Sequence, residues 1–181
     1  MALKATIFKA ELQIADMDRH HYADYALTLA RHPSETDERM MVRLAAFALN
    51  ADDALAFGGG LSSEGEAALS RRDLTGRIQL WIEVGLPDEK AVRKACGRAD
   101  AVIVVAYGGH AAQLWWNKAA PALSGCTNLA VIDLPQETTR ALARLAARTM
   151  RLQCSIQEGA LLITNGDASV TMEPRVLKAA S

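Results

Sequence analysis

Arg77-Ile-Gln-Leu-Trp-Ile-Glu-Val-Gly85 is the stretch on which the fold turns. Ile78, Leu80, Ile82 and Val84 fall on one side of an extended chain. Arg77, Gln79, Trp81, Glu83 and Gly85 fall on the other, and this period of two marks a strand. Upstream, Glu66 to Arg71 reads as a weaker strand, with a turn in Arg72 to Gly76, so the two segments form a hairpin. Downstream, Pro87-Asp88-Glu89 opens a helix with acids suited to its N-terminal end, reaching about Gly97. Ala101-Val-Ile-Val-Val-Ala-Tyr107 is a continuous apolar run, typical of a buried central strand.

Working towards the N-terminus, Ala5 to Ala15 alternates (Ile7, Ala10, Leu12, Ile14) and reads as a strand ending in the turn Asp16-Met17-Asp18. Tyr22 to Arg31 fits two templates. Tyr25, Leu27 and Leu29 alternate, while Tyr22, Tyr25, Ala26 and Leu29 also share a helical face; the short turn before them favours a returning strand. Pro33 interrupts that element, and Ser34 or Thr36 caps a helix whose stripe of Met41, Leu44, Ala45, Phe47 and Ala48 runs to about Asn50. Gly58-Gly59-Gly60 breaks the chain. Towards the C-terminus come a helix near Ala111 to Ala120, a strand near Leu129 to Leu134 and a helix from Gln136 to about Arg148. Short strands follow at Arg151 to Ile156, Ala160 to Thr164 and Ala168 to Met172, joined at Glu158-Gly159 and Asn165-Gly166. With no repeat, low-complexity stretch or linker, residues 1–181 read as one α/β domain with a mixed sheet flanked by helices, an N-terminal β-hairpin and C-terminal β-strands.

Composition narrows the class. Half of the 181 residues are apolar and 23% are charged, enough for a substantial core. A net charge of −1 argues against a generally basic nucleic-acid coat, though not against a local basic groove. Cys96, Cys126 and Cys154 are odd in number and form no C-x-x-C pair, which fits a reducing cytoplasm better than a disulfide framework or a zinc site. The four histidines are too scattered for a metal motif. The N-terminal residues do not read as a signal peptide, and no run of about 18 apolar residues predicts a membrane span.

The chemistry centres on carboxylates. Glu66 and Glu83 are equidistant from the point between Leu74 and Thr75. A turn centred there sets them opposite one another, on one face and about 4.5–5.5 Å apart. Two like charges so close favour a cation between them, and Mg²⁺ or Mn²⁺ prefers such oxygen ligands; read from the hairpin alone, the pair is more simply two solvated glutamates on its wet face. A one-residue slip would separate them. In metal-dependent nucleases a lysine two residues beyond the strand carboxylate helps to activate water, and here that position is Gly85. The next helix presents Lys90, Lys94 and Arg98 at i, i+4 and i+8, a basic side from which a lysine reaches the vacated space, or else a solvated face balancing Asp88 and Glu89. Glu38 reads by itself as a helix-start acid. Trp115-Trp116 reads as core packing rather than a base-stacking platform, and Tyr107 and Gln113 are candidates to line the pocket. Neither Gly58-Gly59-Gly60 nor Gly108-Gly109 has the lysine and serine of a phosphate loop. Serine and cysteine nucleophiles lack a histidine partner.

These residues lie in longer blocks: Met1-Ala-Leu-Lys-Ala-Thr-Ile7, Leu27-Thr-Leu-Ala-Arg-His-Pro-Ser-Glu-Thr36 with Glu38-Arg-Met-Met41, Leu80-Trp-Ile-Glu-Val-Gly-Leu-Pro-Asp-Glu89, Lys94-Ala-Cys96 and Gln113-Leu-Trp-Trp116. Together they resemble the YaeQ family, a bacterial family, over nearly the whole chain. The resemblance implies a restriction-endonuclease-like, PD-(D/E)XK core at about residues 34–134: a helix, a three-stranded meander, a helix and a strand. It implies Glu38 on the core helix, Glu66 as the first motif acid within Glu64-Gly-Glu-Ala67, Glu83 as the second, and the lysine moved to the next helix as Lys94. Asp73 is a rival for the first acid. Gly85 in place of the usual lysine, and the absence of a clear proline–aspartate first motif, are departures from the pattern.

The function this implies is that of a metal-dependent nuclease or other phosphodiester-acting protein. Glu66 and Glu83 would hold Mg²⁺ or Mn²⁺, Glu38 would help through water and Lys94 would position the water or the phosphate. Two alternatives remain. One is a non-catalytic interaction module on an inactive nuclease fold, touching nucleic acid or a protein of the transcription or repair machinery. The other is a set of structural carboxylates, with the working surface on the terminal hairpin.

Overall fold

The computed structural model describes residues 4–59 and 65–181. Thr6–Asp16 (β1) and His21–Arg31 (β2) pair antiparallel from Asp16↔His21 to Thr6↔Arg31, so the ambiguous second segment is a strand. The turn is organised by Asp16, whose buried carboxylate accepts from the backbone N–H groups of Asp18 (3.1 Å) and Arg19 (3.0 Å) and from Arg19 Nε (2.6 Å). Asp37–Leu49 (α1) is capped by Thr36, whose Oγ1 accepts from the Arg39 backbone at 3.0 Å, an interaction worth roughly 1 kcal/mol.

Leu55–Phe57 (β3), Leu69–Arg72 (β4) and Ile78–Val84 (β5) form an antiparallel meander. The chain continues through Glu89–Cys96 (α2), Ala99–Tyr107 (β6), His110–Leu123 (α3), Leu129–Leu134 (β7) and Gln136–Ala143 (α4). It ends in Thr149–Gln157 (β8), Ala160–Thr164 (β9), Ser169–Met172 (β10) and Arg175–Lys178 (β11). The fold is mixed α/β, with two sheets where the sequence reads as one. The first has the order β10-β9-β8-β1-β2, with β1 and β8 parallel. The second has the order β11-β7-β6-β5-β4-β3, with β5, β6 and β7 parallel.

Parallel neighbours need crossovers, and α2 and α3 supply them. Val92, Ala95, Ala119 and Leu123 pack with Trp81, Val102, Val104 and Val131 on one face of the second sheet. On its other face, Leu80, Ile82, Val84 and Val105 meet α1, which is also covered by Phe8, Leu12 and Ile14 of the first sheet. A helix enclosed by two sheets is buried all round, and Met40 to Ala48 are all buried. That run includes Arg43, whose charge is met by Glu35 (Nη2 to Oε1, 2.6 Å; Nε to Oε2, 3.0 Å). The short strands β3 and β11 are too brief to carry a legible alternation, and α4 stops at Ala143 rather than near Arg148. Among the described residues no helix is long and apolar enough to cross a membrane. Met1 to Leu3 of the opening block, Gly60 of the glycine run and Glu64 lie outside the described residues.

Candidate functional site

The hairpin turns within Arg72 to Gly76, as the sequence suggests, but its centre is Thr75 rather than the point between Leu74 and Thr75. Leu74-Thr75-Gly76 is a three-residue loop closed by the Asp73 N–H on the Arg77 carbonyl (3.0 Å), which moves the register by one. A bulge then leaves Gln79 unpaired, since Arg72 faces Ile78 while Arg71 faces Leu80, and moves it by one more. Extending the ladder past Leu69↔Ile82 puts Ala68, not Glu66, opposite Glu83, and Glu66 precedes the strand. The expectation of directly opposed glutamates is therefore corrected. Yet two one-residue slips restore the parity, and Glu66 and Glu83 line one cleft of about 480 Å³.

Lys94 and Arg98 line the same cleft, together with Gly65 and Trp81. A chain of contacts ties it together. The Arg98 guanidinium lies 5.1 Å from the centre of the Trp81 ring and donates to the Gly65 carbonyl at 3.2 Å, next to Glu66. Trp81 Nε1 donates to Glu83 Oε1 at 2.7 Å, fixing the carboxylate's orientation. Burial pushes the Glu83 carboxyl above its usual range, while the Trp81 hydrogen bond and the Arg39 charge oppose the rise. The sign of the linkage follows. The folded protein holds a proton here that the unfolded chain has already released, so Glu83's contribution to stability falls as pH rises from the ordinary glutamate range through the raised folded value.

The other predicted residues sit elsewhere. Glu38 does not line this cleft; it belongs to α1, on the opposite face of the sheet, where Thr139 Oγ1 donates to its Oε2 at 3.2 Å. Tyr107 is its neighbour, and burial raises the phenol while Arg39 pulls it down and Glu38 and Glu35 push it up. Lys90 faces a different groove beside Trp115, whose Nε1 donates to the Pro87 carbonyl at 2.7 Å. Trp115 and Trp116 are half-buried against the α2–α3 core. Asp73 is committed to its turn, its Oδ1 accepting from Thr75 N, Thr75 Oγ1 and Arg77 N at 2.6–3.0 Å. Those bonds, led by the Thr75 hydroxyl, hold its carboxyl below the usual range.

The sequence model of the YaeQ protein family matches residues 1–174. The chain belongs to the YaeQ family. The uncharacterized protein YaeQ of Salmonella typhi is 49% identical over 166 residues, 91% of each chain, and that of Escherichia coli (strain K12) is 46% identical over the same length. The crystal structure of the YaeQ protein from Xanthomonas axonopodis pv. citri superposes with a TM-score of 0.94 at 53% identity, covering 97% of this chain and 99% of that one. The YaeQ protein from Pseudomonas syringae gives 0.93 at 35% identity, covering 97% of both.

Two features of this YaeQ-family cleft were not singled out from the sequence. Trp81 supplies the hydrogen bond on Glu83, and the available signal was its place two residues before Glu83 on the same strand face. Arg98 was visible only as the last member of a basic helical side, whereas it closes the cleft from just beyond α2. Gly85, the position that lacks the lysine, has a φ of +103°, a conformation that L-residues rarely adopt. A lysine restored at this position is therefore strained. Gly85→Lys is expected to lower stability by about 1–3 kcal/mol, measured by urea unfolding, without improving any activity of the cleft. A Gly85→Lys protein as stable as its parent would overturn this reading of the backbone.

Proposed function

We propose that this YaeQ-family chain has a restriction-endonuclease-like core of the PD-(D/E)XK type and acts on nucleic acid through the Glu66–Glu83 cleft with Mg²⁺ or Mn²⁺. The observation that carries the proposal is the meeting of two carboxylates, Lys94 and Arg98 from three separate segments on one cleft. The order α1, β3-β4-β5 meander, α2, β6 supports it, being the element order of such a core.

The residues fit the metal. Among the described residues no three His, Cys, Asp or Glu side chains cluster as a closed cage. Mg²⁺ needs none, keeping several waters and binding through one or two carboxylates plus substrate phosphates. Glu66 and Glu83 would hold it, and it would supply Lewis acidity towards a phosphodiester. Trp81 keeps Glu83 aimed, Lys94 holds the attacking water or the phosphate, and Arg98 draws the phosphate backbone and braces Gly65 beside Glu66. Glu38 has no contact with the cleft; the α1 residue whose charge is felt at Glu83 is its neighbour, Arg39.

Calorimetric titration of Mg²⁺ and Mn²⁺ tests the site. Saturable binding to the parent and none to Glu83→Ala is expected. Binding must compete with the raised proton affinity of Glu83, so metal affinity should rise with pH through a midpoint above the ordinary glutamate range. A parent protein that binds neither ion, with nucleic acid absent or present, would retire the proposal. The backbone at Gly85 favours a second reading, a module that binds nucleic acid or protein on a retired nuclease fold. It predicts metal-independent, salt-sensitive binding if the partner is nucleic acid, with no turnover.

A further inference from the structure

Each of the two sheets ends in two edge strands, and three of these edges are brief. Strands β10 and β11 have four residues each and β3 has three. The fourth edge is β2, eleven residues long and paired with no strand but β1. Proteins that stay apart blunt an edge with brevity, prolines, lysines or bulges. Strand β2 has none of these. Its register with β1 runs unbroken, it contains no proline or lysine, and Asp24 is the one charge from Tyr22 to Ala30.

The hydrogen bonds fix which backbone groups are free. Lys9 N donates to the Arg148 carbonyl (2.9 Å) and Met17 N to the Ile156 carbonyl (2.8 Å), so the odd residues of β1 face β8 and the even ones face β2. Through the pairs from Phe8↔Leu29 to Ile14↔Ala23, the odd residues of β2 bond β1, and the even ones point out of the sheet edge. Arg43 Nη2 takes the outward Ala30 carbonyl at 3.1 Å. The N–H and C=O groups of Tyr22, Asp24, Ala26 and Thr28 have no partner among the described residues. Between them Ala23, Tyr25 and Leu27 stay only half-buried on the inner face.

We propose that the β2 edge binds a second copy of this chain, the two strands pairing antiparallel about a two-fold axis at Tyr25 and joining the two first sheets into one. In this register Tyr22 of each copy faces Thr28 of the other, and Asp24 faces Ala26. Every free N–H of the edge then meets a free C=O, and the Ala30 carbonyl is left to Arg43. Charge favours the same occupant. The lone carboxylate of the stretch faces an alanine, and its own copy lies only diagonally across, about 7–8 Å away. On the inner face Ala23 meets Leu27 and Tyr25 meets Tyr25, which covers the half-buried apolar row on both copies at once. Closed two-fold pairing is also the commonest form of assembly. None of these residues lines the Glu66–Glu83 cleft, so the inference does not rest on the metal-cleft reading.

The test is sedimentation velocity of the full chain across a concentration series, with circular dichroism as the check on folding. The parent should show a monomer–dimer equilibrium in the micromolar range. Ala26→Pro removes an N–H that points to the second copy and none that bonds β1, so the spectrum should be unchanged while the dimer weakens by about tenfold or more. Ala26→Asp sets a second carboxylate opposite Asp24 and should weaken the dimer severalfold, more so at low salt. Ala26→Lys, opposite the same carboxylate, should hold or tighten it. A parent that stays monomeric up to about 1 mM would overturn the proposal and leave the edge to another extended partner or to water. A dimer that Ala26→Pro and Ala26→Asp leave unchanged would overturn it by placing the interface elsewhere. Should Ala26→Pro fail to fold, equal dimer affinities for Ala26→Asp and Ala26→Lys would overturn it as well.

Discussion

Glu35→Ala is expected to cost about 3–5 kcal/mol of folding stability, an effect as large as a single side chain commonly produces. The reason is Arg43. Its side chain is 1% exposed in the middle of α1, and its guanidinium gives bonds to both oxygens of Glu35 and to the Ala30 carbonyl (3.1 Å). Arg39 adds a second cation to the same carboxylate. Without Glu35 the Arg43 charge stays buried between two sheets with only the Ala30 carbonyl and the face of the Phe57 ring beside it. Urea unfolding should show the midpoint falling with little change in slope. The double variant Glu35→Leu, Arg43→Met should recover most of the loss, because apolar replacements of a buried ion pair are often neutral or better. A Glu35→Ala protein within about 1 kcal/mol of its parent would show that the pair contributes little.

Glu83→Gln should do the reverse, removing function and sparing the fold. On the proposed reading it eliminates metal-dependent cleavage of nucleic acid, a fall of at least about a hundredfold in kcat/KM. Its stability at neutral pH should equal or exceed the parent's, because burial already disfavours the ionised carboxylate. Trp81→Phe should sit between, weakening metal affinity by about 10–100-fold, as expected when the group that orients a ligand is lost. Screens with single- and double-stranded DNA and RNA would read all three proteins. Cleavage that persists in Glu83→Gln would remove Glu83 from the active site.

Much of this was legible from periodicity and turn chemistry. The 78–84 strand, the 101–107 strand, the Thr36 cap and the strand nature of Tyr22 to Arg31 all follow from local patterns. What local pattern cannot supply is the sum of small displacements. Neither the three-residue loop at Leu74 nor the bulge at Gln79 is visible in alternation, and each alone would have sent Glu66 to the wrong face. Glu35 reads as one more acid in a polar helix lead, because nothing in its neighbourhood announces that Arg43, two turns into α1, is buried and reaches back to it.

The parallel pairing of β1 with β8, from Lys9↔Thr149 to Asp16↔Ile156, has a consequence for how the protein is made. During synthesis β1 and β2 emerge early as a hairpin with one apolar face and an open edge. The strand that closes that edge follows on the order of ten seconds later at ordinary elongation rates. Until then the hairpin is a template for the strands of other nascent chains. The carboxylate of Asp18, in the β1–β2 turn, waits for the Glu158 and Gly159 N–H groups, 2.8 and 2.9 Å away in the finished fold. The first sheet therefore closes only once β8 has been made, long after its opening hairpin, and β11 then adds the last strand to the second sheet.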